Sequence, residues 1–220
     1  STSASNAADV DPDTLRFKIA AISTGTLKKG ATPVNVGDFF ATGETLTWKA
    51  AANANGTLNA FTVKANDGTV DSATAVQVKV EVVAVNDQPT FTKGADQTVN
   101  EDAAAQSVSG WATAINKGAS NESGQTLEFL VTVPANQQYL FSTLPAISAT
   151  GTLTYTPATN KNGAATVSVA LKDNGGTLDG GVDPSATVTF VITVNPINDP
   201  PVNTEIPSIS GTVHKDEIVT

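Results

Sequence analysis

Val85-Asn86-Asp87-Gln88-Pro89 and Ile197-Asn198-Asp199-Pro200-Pro201 are two copies of one short pattern. Each follows a run of alternating β-branched residues, Val76, Val78, Val80 and Val82 in the first case, and each ends in proline. Alternation with period two marks a half-buried strand. Proline has no N–H to give to a strand ladder, so it stops the pairing. The pattern is therefore a joint, where the closing strand of one domain hands the chain to the next.

Working back from the first joint, Leu15, Phe17 and Ile19 alternate as a strand, and Val34, Val36, Phe39 and Phe40 form a second apolar group. Leu46 and Trp48 alternate again, Asn55-Gly56 predicts a tight turn, and Phe61 and Val63 continue the inward face. The order recurs after the joint. Leu127-Glu128-Phe129 matches Leu15-Arg16-Phe17, Gly151–Tyr155 matches Glu44–Trp48, and Asn160–Gly163 matches Asn53–Gly56. Asp173 matches Asp67, and Ser185 matches Ser72. The offset starts at 112, drifts to 107 and 106, and returns to 112 at the joints. Gly175–Asp183 is the clearest insertion.

Short strands between turn signals, repeated at about this length, predict an all-β chain of tandem immunoglobulin-like antiparallel β-sandwiches. Residues 1–88 form a first repeat whose opening strand is expected to be missing. Residues 89–200 form a second, and 201–220 read as the first strand of a third. An unpaired edge and an orphan strand invite each other, so strand exchange through 205–219 is an expectation. Trp48 and Tyr155 fall at equivalent inward positions and are read as core aromatics. Trp111 has no mate in the first repeat and is also assigned to the core.

Composition narrows the function. Net charge is −9 with a pI near 4.4, which argues against nucleic-acid and anionic-membrane partners. No apolar run approaches the ~20 residues of a membrane helix. Cys is absent, which excludes disulfides and thiolate chemistry. The lone histidine, His214, disfavours a Ser-His-Asp triad or a histidine zinc site. Asp9, Asp11 and Asp13 imitate the start of an EF-hand loop, but Thr14 stands where that loop needs glycine and Ala20 where it needs glutamate. Gly-rich Asp173–Gly181 has no following Lys-Ser/Thr, so it is no phosphate loop. Nothing marks a carboxylate pair in an aromatic-lined cleft, and an enzyme is not expected.

Acids and neighbouring amides cluster near strand ends: Asp9 and Asp11, Asp67, Asn86 and Asp87, Glu101 and Asp102, Glu122, Asp173, Asn198 and Asp199. In a sandwich these positions lie in loops, where residues distant in sequence can converge. Calcium takes about six to eight oxygen ligands. No single stretch supplies that many, but a joint between two domain ends can. The competing assignment is turn formation, which Asp and Asn favour anyway.

The Asn86–Pro89 joint, with Glu101 in the first strand that follows, resembles the linker pattern of cadherin repeats. Together with Gly151–Tyr155, Asn162-Gly163, Asp173–Gly176, Gly180–Asp183 and Ile197–Pro201, it most resembles the cadherin-like tandem repeats of large bacterial surface and RTX-type adhesins. The resemblance covers residues 9–201 and implies Ca2+ at the joints. It implies Asn86, Asp87, Glu122 and Asp173 at the first joint, and Glu101, Asp102, Asn198 and Asp199 at the second. Asp9, Asp11 and Asp67 would face an upstream joint. Ala51-Ala52-Asn53 and Ala158-Thr159-Asn160 replace the Asp-Arg-Glu of cadherins, which implies fewer or weaker ions.

The resulting expectation is an extracellular, cell-surface structural module of a bacterial adhesin, made rigid by calcium and serving cell adhesion. Its partners would be neighbouring repeats of the same chain and, through the parent adhesin, a host or matrix glycan or protein. The alternative is a carbohydrate- or protein-binding module reading its ligand through loops 111–126 or 174–184, or an accessory domain of a secreted enzyme.

Overall fold

The computed structural model describes residues 14–202. The first repeat contains β1 (Arg16–Ile22), β2 (Thr26–Lys29), β3 (Thr32–Pro33), β4 (Phe39–Ala41), β5 (Leu46–Lys49), β6 (Gly56–Asn66) and β7 (Val76–Val82). The second contains β8 (Thr90–Thr92), β9 (Gln97–Asn100), β10 (Gln106–Val108), β11 (Thr113–Asn116), β12 (Glu128–Thr132), β13 (Phe141–Ile147), β14 (Leu153–Pro157), β15 (Gly163–Lys172) and β16 (Val188–Asn195). Among the described residues helix is confined to short 3-10 turns, Ser120–Glu122, Ala135–Leu140 and Leu178–Gly180. The chain is all-β, as its alternation predicts.

In the first repeat a sheet ordered β4-β1-β6-β7 accompanies a sheet ordered β3-β2-β5. In the second, β12-β15-β16-β9 accompanies β10-β14-β13, with a small β11-β8 ladder. The ladders are antiparallel except β16 with β9, which run parallel through Val194 and Val99. Each repeat has its own apolar core, because a sheet is stable only when one face is covered. Ala165, Val167, Val169 and Leu171 alternate inward along β15, and Phe190, Ile192 and Val194 along β16. Phe17, Ile19, Phe61 and Val63 do the same in the first repeat. A bulge between Asn59 and Phe61 lets the consecutive Ala60 and Phe61 both turn inward.

Two sets of aligned positions make matching contacts. Phe17 pairs with Ala65 as Phe129 pairs with Leu171. Ser72 Oγ accepts the Ala65 amide at 3.1 Å, and Ser185 Oγ accepts the Leu171 amide at 2.8 Å. The turn chemistry needs correction. The residue that reverses the chain is Asn53, with φ of 60°, while Gly56 opens β6 with φ of 83°. Asn160 and Gly163 repeat this at φ of 55° and 141°. Asparagine tolerates the left-handed region and glycine enters it freely.

The second repeat opens with four short strands, β8 to β11, rather than the single opening strand expected from the sequence. Two of them cap edges whose first-repeat counterparts carry no such strand among the described residues. Strand β9 lies on β16 and β10 on β14, whereas among the described residues β7 pairs only with β6 and β5 only with β2. The difference shows in burial. Tyr155, paired with Gln106 of β10, is buried, while Trp48 on β5 is half-buried and its Nε1 has no partner among the described residues. Trp111 packs 4.4 Å from Phe190 and donates to Ala95 O at 2.9 Å, as a core aromatic does. Segment 205–219, expected to exchange strands, lies outside the described residues.

At one end of the first repeat, Asp71 accepts from Lys18 Nζ at 2.7 Å and Asn66 Nδ2 at 2.8 Å. The Lys18 ammonium and then the Asn66 amide hold its carboxyl below the ordinary aspartate range. A depressed folded-state value contributes stability above the unfolded value and loses it as pH falls through the folded one. Asp71→Asn therefore lowers the melting temperature of the first repeat at pH 7. The gap from wild type closes as the pH of both proteins falls from above the ordinary aspartate range through the depressed folded-state value. A gap of equal size at both ends of a pH series of thermal melts would contradict this.

Candidate metal centre at the inter-repeat joint

The first joint is held against the second repeat by side chains from two loops, the β11–β12 and β15–β16 connections. Glu122 ends a 3-10 turn, and its carboxylate accepts the Asp87 amide at 2.8 Å and the Ala119 amide at 2.9 Å. Asp173, just past β15, accepts the Gly175 amide at 2.9 Å. Its two oxygens also lie 3.1 and 3.3 Å from Asn86 Nδ2. Glu122 and Asp173 are 5% and 3% exposed. The Asp87 side chain, by contrast, is exposed. It lends the site a backbone N–H, and no carboxylate contact of Asp87 is seen among the described residues.

Packing here leaves no spare room. A Cβ on Gly118 would meet Glu122 Oε2, and one on Gly175 would meet Asn86 Oδ1. These glycines are required by the close approach of the two carboxylates and the joint.

The second joint is organised around Glu101, 5% exposed. Its Oε1 accepts the Ile197 amide at 2.9 Å and its Oε2 accepts Asn162 Nδ2 at 3.3 Å. Glu101 thus does at the second joint what Glu122 does at the first: a buried carboxylate captures a backbone N–H of the joint. Asp102 instead accepts the Asn160 amide at 3.0 Å. Asn198 and Asp199 are exposed, and among the described residues the Asn198 amide contacts only Asp199 O, at 3.5 Å. The structure does not bring them to Glu101.

Asp67 uses its Oδ1 within its own turn, accepting from the Val70 and Thr69 amides, both at 2.7 Å. These bonds, the one from Val70 first, hold its carboxyl below the usual range. It has the geometry of a turn former. Asp9 and Asp11 lie outside the described residues. Among the described residues, no group of three carboxylate or imidazole side chains is preformed to hold a metal ion.

Several residues that hold the joint were not picked out as site residues from the sequence. Gln125 Nε2 donates to Asn86 Oδ1 at 2.7 Å. The Val182 amide donates to Asn86 O at 3.1 Å, and Val182 O receives Asn86 Nδ2 at 3.0 Å. Gln88 Nε2 donates to Pro184 O at 3.1 Å. The loop 174–184, which the sequence offers as a ligand-reading loop, is therefore folded onto the joint. The sequence signal for this was the Gly175–Asp183 insertion itself, since a loop long enough to fold back exists only in the second repeat.

No protein-family model matches the chain, and no curated protein matches it in sequence. Solved structures do resemble it. Human protocadherin-24 EC1-2 superposes with a TM-score of 0.47 at 16% identity, covering 84% of this chain and 84% of that one. Human mucin-like protocadherin EC1-2 gives 0.43 at 15% identity, covering 84% and 85%. Domains 4 and 5 of the S-layer protein SbsC give 0.30 at 14% identity, covering 82% and 97%.

Proposed function

We propose that this chain is an extracellular spacer of a bacterial surface adhesin, a pair of cadherin-like repeats whose joints are stiffened by calcium. The observation that carries the reading is three buried carboxylates, Glu101, Glu122 and Asp173, placed at the two joints. None has a cationic partner among the described residues, where the ion pairs are Lys18–Asp71 and Lys29–Glu44, both in the first repeat. Taking a carboxylate out of water without a counter-charge costs several kcal/mol. Backbone N–H groups and side-chain amides offset part of that cost here. A hard cation with a preference for oxygen offsets more of it, and the donor set of carboxylates, amide carbonyls and backbone carbonyls is the one calcium takes. The donor types match, and the ion would have to draw these groups together, since no group of three carboxylates is preformed among the described residues.

In this reading Asn86, Glu122 and Asp173 hold the ion at the first joint and Glu101 at the second. The ion supplies positive charge that ties the joint to the domain end and fixes the angle between repeats. The losses at Ala51-Ala52-Asn53 and Ala158-Thr159-Asn160, relative to the cadherin pattern, reduce the number of ions rather than abolish binding. An ion that binds only the folded form stabilises it by mass action, about 1.4 kcal/mol at tenfold excess over Kd.

Thermal melts and small-angle scattering in millimolar calcium and in chelator test this directly. Calcium raises the melting temperature and narrows the distribution of molecular dimensions. Identical melts and identical scattering in the two conditions would reject the proposal.

A further inference from the structure

The two repeats share a frame, and each carries one decoration that the other lacks. In the first, the β3–β4 ribbon lays β4 along β1, while β12, the equivalent of β1, pairs only with β15 among the described residues. In the second, the decoration is the Gly175–Asp183 insertion. Charge is divided along the same line. Residues 14–84 hold seven Lys and Arg against five Asp and Glu, and residues 85–202 hold four against ten.

The ribbon completes a cationic face. Phe39, Lys18 and Lys64 are register partners across β4, β1 and β6, and Arg16 lies two residues along, on the same side of the sheet. The Arg16 guanidinium carbon stands 4.5 Å from the centre of the Phe39 ring, and Arg16 Nε donates to Asn66 Oδ1 at 3.2 Å, which fixes that charge in place. Asp71 is the one carboxylate paired with this face among the described residues, and it takes Lys18. The frame does not require these cations, since Glu128, Leu130 and Ala170 stand at the matching positions of the second repeat. The insertion is opposite in sign. It contains Asp179 and Asp183 and no basic residue. Its Leu178 is 85% exposed, the most exposed large apolar side chain among the described residues. The Val182 backbone clamps the loop to Asn86 at 3.0 and 3.1 Å, so the acidic, apolar tip is presented on a held loop. An apolar centre with a charged rim is how a binding surface is built.

We infer that the insertion of one copy of this chain docks on the β4-β1-β6 face of a second copy, Leu178 against the exposed part of the Phe39 ring and Asp179 beside Arg16. The occupant is a second copy because the two surfaces match in sign and in kind. They lie on different repeats, so the contact is not self-complementary. It adds copies head to tail instead of closing a dimer, and it joins the first repeat of one chain to the second repeat of its neighbour.

The test is sedimentation of the full chain in chelator, which removes any ion at the joint as a variable. At about 0.01 M ionic strength, where the screening length is ~30 Å, the average mass of wild type rises past that of a dimer as concentration increases. At about 1 M, where that length is ~3 Å, the chain is monomeric. Arg16→Glu and Asp179→Lys each weaken association about tenfold. Mixing the two variants restores it, because the new carboxylate of one meets the new ammonium of the other, and the remaining face and loop are both wild type. Asp179 has φ of 54°, a conformation asparagine also tolerates, so Asp179→Asn weakens association with the loop backbone unchanged. Leu178→Ser weakens it with no change of charge.

Wild type that stays monomeric at low ionic strength overturns the inference, as does association that stops at a dimer. Binding of heparin by wild type but not by Arg16→Glu, with no self-association, would assign the face to a polyanion and overturn it too. Variants that weaken association singly and are not restored by mixing would show that the two surfaces do not meet. The calcium reading stands or falls separately from each of these outcomes.

Discussion

Phe190→Ala is expected to cost the second repeat about 3–5 kcal/mol, the range for removing a buried phenylalanine. Phe190 is 2% exposed, sits in the middle of β16 and packs 4.4 Å from Trp111. The loss is a large share of the ~5–15 kcal/mol that holds a typical domain. It should also stay local. The core cluster containing Phe190 and the cluster containing Phe17, Ile19 and Phe61 share no residue. Hydrogen exchange read by mass spectrometry should therefore show β15 and β16 losing protection while β6 keeps its own. Equal loss in β6 would mean that the repeats unfold as one unit. Phe39→Ala is the control: that ring is 41% exposed beneath the Arg16 guanidinium and packs against no buried cluster. Its effect should stay below about 1 kcal/mol, as for surface substitutions generally.

Glu122→Ala is expected to have the next largest effect, about 1–3 kcal/mol. The Glu122 carboxylate accepts two backbone amides, Asp87 at 2.8 Å and Ala119 at 2.9 Å, and alanine leaves both without a partner. The cost falls on the joint as much as on the fold, because the Asp87 amide belongs to the linker itself. Its hydrogen exchange should accelerate in step with the drop in melting temperature. Glu122→Gln retains a carbonyl oxygen for one of the two donors and presents an NH2 to the other, so it should fall between alanine and wild type. Unchanged exchange at Asp87 in the alanine variant would show that Glu122 does not hold the linker.

The architecture was readable because strand burial has a two-residue period that survives in the sequence. Val167, Val169 and Leu171 show it on β15, and Phe17 and Ile19 on β1. The equivalence of Ser72 with Ser185 was readable for a related reason. A short side chain that accepts the amide of the last-but-one residue of β6 or β15 follows that residue within 7 or 14 positions, so both stay in one stretch of sequence. The asymmetric burial of Trp48 and Tyr155 was not readable, since both occupy the same place in the same motif. What separates them is whether another strand lies alongside, β10 for Tyr155.

At the joints the sequence located the acids but not their partners. Asn198 and Asp199 look like Asn86 and Asp87, yet only Asn86 is enclosed. The enclosing groups, Gln125 and Val182, carry no motif of their own. Val182 acts through its backbone, which any residue could supply. Gln125 acts because its amide reaches a residue 39 positions away.

The sequence by itself determined that this is an all-β chain, and that acidic and amide side chains fall near Val85–Pro89 and Ile197–Pro201. Hydrophobic periodicity and the chemistry of proline, asparagine and aspartate are properties of neighbours along the chain. Only the tertiary structure decided which oxygens converge on Asn86 and which acids merely close their own turns. That choice depends on where an inserted loop folds back and on how many donors meet how many acceptors, and neither is a periodic property of the sequence.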